Sequence, residues 1–73
     1  MKKKKDQLFL IDVGSRVKGA RLKKNMTQSE IATTCGFDKA SVSRIEGGKS
    51  NITITTLKSI ADALGVDVGD LVG

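Results

Sequence analysis

Two short helices joined by a glycine turn are the feature of this sequence that most restricts its fold. Thr27 and Glu30 form a capping box, T-x-x-E, in which each side chain satisfies a free backbone N–H of the other residue. Gly36 can adopt the positive φ that ends a helix sharply, and Asp38 is a suitable N-cap for the next helix. The sequence therefore predicts a helix-turn-helix unit over residues 28–46.

Three further helices are expected around this unit. The first is predicted from about residue 10 to residue 24, the fourth from a cap near Thr53 to a stop at Gly65, and the last from about residue 68 to residue 72. The β-branched run 52–56 leaves a short strand open as the alternative to the start of the fourth helix. The predicted fold class is all-α, a compact five-helix bundle.

The composition excludes most catalytic chemistry. The chain has no His, one Cys and two Glu, so Ser-His and Cys-His nucleophile pairs and metal sites built on His or Cys clusters are ruled out. We expect no enzyme activity, no metal, no cofactor and no small-molecule ligand. One cysteine cannot form an internal disulfide, which indicates the reducing cytoplasm. No membrane association is expected, since no apolar run approaches the roughly 18 residues of a membrane span.

Positive charge is concentrated in the first two thirds of the chain. Residues 1–6 carry a net charge of +3 and residues 7–50 a net charge of +4, whereas residues 51–73 carry −2. This asymmetry favours a polyanion-binding part joined to a part with another role. Residues 1–7 are predicted to be a flexible basic tail, for which a solvated segment, an arm that touches DNA and attraction to a membrane surface are open alternatives. Residues 8–73 are predicted to be the helix-turn-helix domain.

One face of the predicted helix 39–46 carries short, polar and cationic side chains. Val42 and Ile45 share the opposite face, which should be buried. A helix enters the major groove when its outward residues are short or reach base edges: Arg and Lys donate to guanine, Ser bonds several edges, and Ala touches the thymine methyl. A plain solvated face is the alternative. The residues predicted to contact bases, called here the reading surface, are Lys39, Ala40, Ser43 and Arg44.

Two charged residues fall on faces that should be buried. Arg21 continues the apolar stripe of the first helix, and Glu46 lies near the core face of the helix 39–46. A charge in such a position is costly unless it is paired. We therefore predict an Arg21–Glu46 ion pair that fixes the reading helix against the first helix. Two independent surface charges near helix ends are the alternative.

Polar residues flank the reading surface where DNA phosphates would lie. Gln28 in the first turn of the second helix can donate from its side chain and its backbone, aided by the positive helix end. Contacts of this kind position a protein on DNA without reading the sequence. Each of these residues taken alone could also be a plain surface residue. The predicted phosphate-contacting residues are Gln28, Ser41, Lys49, Ser50, Asn51 and Thr53.

Five segments of the chain carry a resemblance to a known family. They are VGSRVKGAR (13–21), MTQSEIA (26–32), GFD (36–38), SVSRIEGGK (41–49) and LKSIADALGV (57–66). In these segments the chain from Val13 to Val72 resembles the Cro- and lambda-repressor-like helix-turn-helix family, the XRE class. The resemblance implies a five-helix bundle that binds operator DNA as a dimer, with Gln28 on a phosphate, the reading surface on bases, and an Arg21–Glu46 pair. The segment SNITITTL (50–57) is also similar to restriction–modification controller proteins.

The predicted function is a sequence-specific, double-stranded DNA-binding transcriptional regulator that occupies an operator. One helix in one half-site buries little surface, so a homodimer on a pseudo-palindromic operator is expected. An antitoxin-type module that neutralises a partner protein, and regulates itself by binding DNA, is the alternative. The dimer interface is predicted in the acidic last third, unless its apolar residues close the core of one chain. These residues are Val66, Val68, Leu71 and Val72.

Overall fold

Helices are the regular secondary structure of the described part of the chain. The computed structural model describes residues 4–72, and no strand occurs among them. No helix in this range is both long and apolar enough to cross a membrane. The predicted all-α fold with five helices is confirmed. The helices are α1 (Lys4–Lys23), α2 (Gln28–Cys35), α3 (Lys39–Glu46), α4 (Ile54–Leu64) and α5 (Val68–Leu71).

The first helix begins earlier than the sequence analysis predicted. It was expected from about residue 10 and starts at Lys4, so residues 4–7, assigned to the tail, are helical. Residues 1–3 of that tail lie outside the described residues. The start was missed because residues 6–9 are exposed and show no apolar stripe of the kind by which an amphipathic helix is recognised. Lys, Gln and Leu are favourable helix residues even without burial.

The connections between helices use the predicted caps. Thr27 Oγ1 accepts a hydrogen bond from the Glu30 N–H at 3.1 Å, and Glu30 Oε1 accepts one from the Thr27 N–H at 2.8 Å. Gly36 ends α2 with a φ of 74°, and Asp38 Oδ1 accepts from the Ser41 N–H at 2.9 Å. The helix-turn-helix unit therefore begins, turns and ends where the sequence predicts.

The start of α4 decides between the helix and the strand that the sequence left open. Thr53 precedes the helix with extended backbone angles, and its hydroxyl accepts a hydrogen bond from the Thr56 N–H at 3.1 Å. This is an N-cap, which satisfies one of the donors that the first turn of a helix leaves free. The strand considered for residues 52–56 is therefore wrong.

One apolar core joins the helices. Leu71 of α5 belongs to it and is 1% exposed, so its assignment to the dimer interface is wrong: it closes the core of its own chain. The other three residues predicted for that interface are only partly buried. The buried residues of the core are Val13, Val17, Ile31, Ala32, Val42, Ile45, Leu57, Ile60, Ala61, Leu64 and Leu71.

Glycines allow α1 to lie directly on the end of α3. A Cβ atom at Gly14 would lie 2.3 Å from the Ile45 carbonyl oxygen and 2.6 Å from that of Glu46. Gly48, with a φ of 70°, has no room for a Cβ either, because Cγ1 of Ile11 would be 2.6 Å away. Since any side chain at these two positions would separate the backbones, the two glycines set the distance between α1 and α3.

Candidate nucleic-acid interface

The third helix faces the core on one side and solvent on the other. Val42 and Ile45 are buried, whereas all four residues of the reading surface are exposed. The structure therefore brings Lys39, Ala40, Ser43 and Arg44 together on one open helix face, as predicted. The face carries two cationic side chains with small residues between them, which is the kind of surface that can approach base edges in a major groove.

A buried ion pair joins the C-terminal end of α3 to α1. Arg21 Nε donates to Glu46 Oε2 at 2.6 Å and Arg21 Nη2 donates to Glu46 Oε1 at 3.0 Å, with side-chain exposures of 8% and 4%. Arg21 Nη1 donates to the Met26 carbonyl oxygen at 2.7 Å. The hydrogen bonds to Glu46 raise the pKa of Arg21 above its ordinary value despite the opposing effect of burial. The predicted Arg21–Glu46 pair is thus formed, and it is bidentate.

Gln28 is bound to the same carboxylate. Its Nε2 donates to Glu46 Oε1 at 3.1 Å across 18 residues of sequence, and the residue is half-buried. An amide group carries two N–H donors, so the second remains for a phosphate, together with the free backbone N–H groups of the first turn of α2. The bond to Glu46 cannot be predicted from the sequence, because only the packing of α2 against α3 brings the two residues together.

Arg44 has partners within its own helix. Its Nη2 donates to Ser41 Oγ at 3.3 Å, one turn back along α3. Hydrogen bonding from the Ser41 side chain and backbone holds the pKa of the Asp38 carboxyl below its usual range, and the charge of Arg44 acts in the same direction. From the sequence, Asp38 is expected only to cap α3, and Ser41 is expected only to contact a DNA phosphate. The i, i+3 spacing of Ser41 and Arg44 was the signal that could have revealed their contact.

The remaining predicted phosphate contacts lie after α3. Lys49 and Asn51 are exposed and Ser50 is half-buried, and the Ser50 hydroxyl donates to the Asn51 carbonyl oxygen at 3.3 Å. The hydroxyl of Thr53 is engaged in capping, since it also donates to Thr56 Oγ1 at 2.9 Å. This arrangement leaves the Lys49 ammonium and the Asn51 amide as the most accessible polar groups of the loop.

The surface predicted for dimer contacts lies on other helices than the reading surface. Helix α5 packs on α1 and α4, whereas α3 packs on α1 and α2. Cations from the first part of the chain lie beside this surface: a groove next to Val66 and Asp70 is lined by Arg16 and Lys23 of α1 and by Lys24, which follows that helix. The charge of this surface therefore differs from the net charge of −2 that residues 51–73 carry alone, because residues distant in sequence contribute cations to it.

Comparison with known proteins matches this architecture. The family model HTH_3, described as helix-turn-helix, matches residues 17–71. The HTH-type transcriptional regulator y4dJ of Sinorhizobium fredii, an uncharacterized protein, is 40% identical over 60 residues, which are 82% of this chain and 78% of that protein. The control protein C.BamHI of Bacillus amyloliquefaciens is 37% identical over 59 residues, 80% of this chain and 73% of that protein.

A solved structure shows the same fold. The crystal structure of the restriction-modification controller protein C.AhdI from Aeromonas hydrophila superposes with a TM-score of 0.86 at 26% sequence identity, and the match covers 89% of this chain and 94% of that chain. The similarity therefore extends over the whole bundle and is not confined to the unit of α2 and α3.

Proposed function

Because this chain belongs to the helix-turn-helix family HTH_3, we propose that it is a transcriptional regulator that reads double-stranded operator DNA with α3. The observation that carries the proposal is the exposed reading surface on a helix whose other side is held by the buried Arg21–Glu46 pair. A helix fixed in this way can present its side chains to base edges at a constant depth. The regulator y4dJ and the control protein C.BamHI, both relatives, support a role in transcription control.

The reading surface supplies donors for direct recognition. The guanidinium of Arg44 can donate two hydrogen bonds to guanine O6 and N7, and Lys39 can donate to guanine as well. Ala40 and Ser43 are short enough for α3 to enter the groove, and they can contact a thymine methyl and base edges, respectively. The specificity of binding is therefore assigned to these four residues.

Phosphate contacts on both sides of α3 hold the protein in register. On one side, the second amide N–H of Gln28 and the first-turn N–H groups of α2 meet one strand, where the helix dipole favours an anion. On the other side, Lys49, Ser50 and Asn51 meet the second strand, and the first turn of α4 after Thr53 adds backbone donors. These contacts contribute affinity without sequence preference.

We infer that the regulator binds as a homodimer. The longest dimension of the described chain is 32 Å, less than the separation of about 34–36 Å between successive half-sites on one face of DNA. One chain therefore offers one α3 to one half-site. A second copy is expected to pack on the half-buried residues Val66, Val68 and Val72, next to the groove between α1 and α5.

Selection from a pool of random DNA duplexes tests this function. We expect the bound duplexes to share a pseudo-palindrome whose half-sites are centred about 10 base pairs apart. Affinity for the selected site should fall steeply with added salt, because the phosphate contacts release counterions. A pool in which no motif is enriched would contradict sequence-specific binding.

Two single substitutions separate base reading from phosphate contact. Arg44→Ala should relax the preference at one base position per half-site by about 1–3 kcal/mol. Lys49→Ala is the matched control, since it also removes an exposed cation: it should weaken binding to all sequences and reduce the salt slope by about 1. If Arg44→Ala weakens every duplex equally, α3 does not read bases through this residue.

A further inference from the structure

A chain of polar contacts runs along the exposed side of α3. Arg44 Nη2 donates to the Ser41 hydroxyl at 3.3 Å, and Asp38 Oδ1 accepts from the Ser41 backbone N–H at 2.9 Å. A serine hydroxyl that accepts from an arginine still has its own O–H proton to donate. The guanidinium is thereby drawn toward the N-terminal turn of α3, at the edge of the reading surface.

We propose that Ser41 is a positioning residue that holds the Arg44 guanidinium over one base position, and that it is not a phosphate contact. The inference rests on the proposed function, because it names how one residue of the reading surface acquires its specificity. Ser41 is half-buried, whereas every residue of the reading surface is exposed. Its hydroxyl therefore lies behind the groups that approach DNA first.

The hydroxyl of Ser41 has one proton. The acceptor to which that proton is donated distinguishes a residue that positions Arg44 from one that contacts a phosphate. A phosphate oxygen only accepts hydrogen bonds, so a serine that contacts phosphate must direct its proton to it. Here the Ser41 hydroxyl already accepts from Arg44 Nη2 at 3.3 Å, and the lowering of the Asp38 pKa by hydrogen bonding from the Ser41 side chain agrees with a proton directed toward that carboxylate. The lone pairs are then available to Arg44.

Holding the guanidinium has a consequence for recognition. An arginine side chain has many rotamers, and ordering them on binding lowers affinity. A guanidinium already held near its bound position loses less freedom, and it meets the same base edge in each encounter. Without the hydroxyl, Arg44 can swing to neighbouring bases or to a phosphate, so the preference at its position becomes weaker.

The proposal is tested by selecting duplexes from the same random pool twice, once with the Ser41→Ala variant and once with the unchanged protein. We expect the alanine variant to lose preference about two- to tenfold, the equivalent of one hydrogen bond, at the base position that Arg44→Ala also relaxes. Affinity for non-preferred duplexes should stay the same. Ser41→Thr, which retains the hydroxyl, should restore the preference, and Ser41→Ala should have no further effect on it in an Arg44→Ala background.

Ser59→Ala is the matched control, because it removes an exposed hydroxyl that bonds only within α4, to the Thr55 carbonyl oxygen at 3.2 Å. It should leave the ranking of duplexes unchanged. Ser41→Ala could instead weaken binding to all duplexes by the same factor, both alone and in the Arg44→Ala background. In that case Ser41 contacts phosphate, and the inference fails while the proposed function stands. An undiminished preference in Ser41→Ala also overturns it. If the unchanged protein enriches no motif, the proposed function itself fails.

Discussion

Glu46 is the residue on which three helices depend. Its carboxylate accepts hydrogen bonds from two nitrogens of Arg21 in α1 and from Gln28 in α2, while Glu46 itself ends α3. A buried pair of this kind adds little net stability, because desolvation offsets most of the attraction, but removal of one partner leaves a charge without compensation. The Arg21–Glu46 pair instead fixes the orientation of α3 relative to α1, and therefore the direction in which the reading surface faces.

Replacing this carboxylate tests its role. Glu46→Ala should lower the free energy of unfolding by about 2–4 kcal/mol, somewhat less than for a deeply buried pair because this one lies close to the surface of a small domain. Glu46→Gln should cost less, since the amide oxygen can still accept from Arg21. Both changes should weaken DNA binding. Urea denaturation measures the difference, and equal stability of Glu46→Ala and the unchanged protein would contradict this account.

At the scale of the helices, α1 has two kinds of glycine. Gly14 faces the end of α3 so closely that a Cβ would lie 2.3 Å from the Ile45 carbonyl oxygen, whereas nothing lies within 4 Å of a Cβ at Gly19. The first glycine is therefore a requirement of helix packing. The second only weakens the helix, because glycine has a larger conformational entropy to lose than alanine.

The same substitution at the two positions should act in opposite directions. Gly14→Ala should destabilise the protein by about 1–3 kcal/mol, because the backbone of α3 must move away. Gly19→Ala should stabilise it by up to about 1 kcal/mol, as expected for an exposed helix position. Thermal unfolding of both variants measures this. A neutral or stabilising Gly14→Ala would show that α1 and α3 do not pack at this distance.

At the scale of the whole molecule, the two surfaces proposed for DNA binding and for dimer contacts lie on different helices. The reading surface belongs to α3. The half-buried Val68 is the first residue of α5, Val66 and Val72 flank that helix, and α5 packs on α1 and α4. Helix α1 contacts both α3 and α5. A dimer formed around α5 would therefore leave each reading surface open and would set the distance between the two copies of α3 through α1.

One substitution at the start of α5 tests the dimer. Val68→Asp places a charge on the proposed interface, and it is compatible with the helix because an acidic residue in the first turn interacts favourably with the dipole. We expect monomers at concentrations at which the unchanged protein is dimeric, and unchanged helix content. The control is Ile54→Asp, a change of the first residue of α4, which is 75% exposed in the unchanged protein. This variant should remain dimeric. Sedimentation distinguishes the two.

If Val68→Asp remains dimeric and folded, the interface lies elsewhere on the molecule. If the unchanged protein is monomeric at every concentration and still selects a pseudo-palindrome, dimerisation occurs only on DNA. Sedimentation in the presence of the selected duplex separates that case from a protein that binds a single half-site.

The sequence by itself determined the helix caps and the buried helix faces, which depend on residues within about one helical turn of each other. The capping box of Thr27 and Glu30 and the cap at Asp38 are contacts across three residues, and the spacing of Val42 and Ile45 showed which face of α3 is buried. The family resemblance, now confirmed, follows from the same residues. Even the distant Arg21–Glu46 pair was predictable, because each charge fell on an apolar face and needed a partner.

Only the tertiary structure decided the contacts that depend on how the helix axes cross. It placed Gln28 against Glu46, buried Leu71 in the core, and brought Arg16, Lys23 and Lys24 beside the acidic end of the chain. Periodicity gives the direction of a side chain around its own axis, but not the neighbour that it meets. That neighbour depends on the distance and angle between helices, which for α1 and α3 are limited by the close contacts at Gly14 and Gly48.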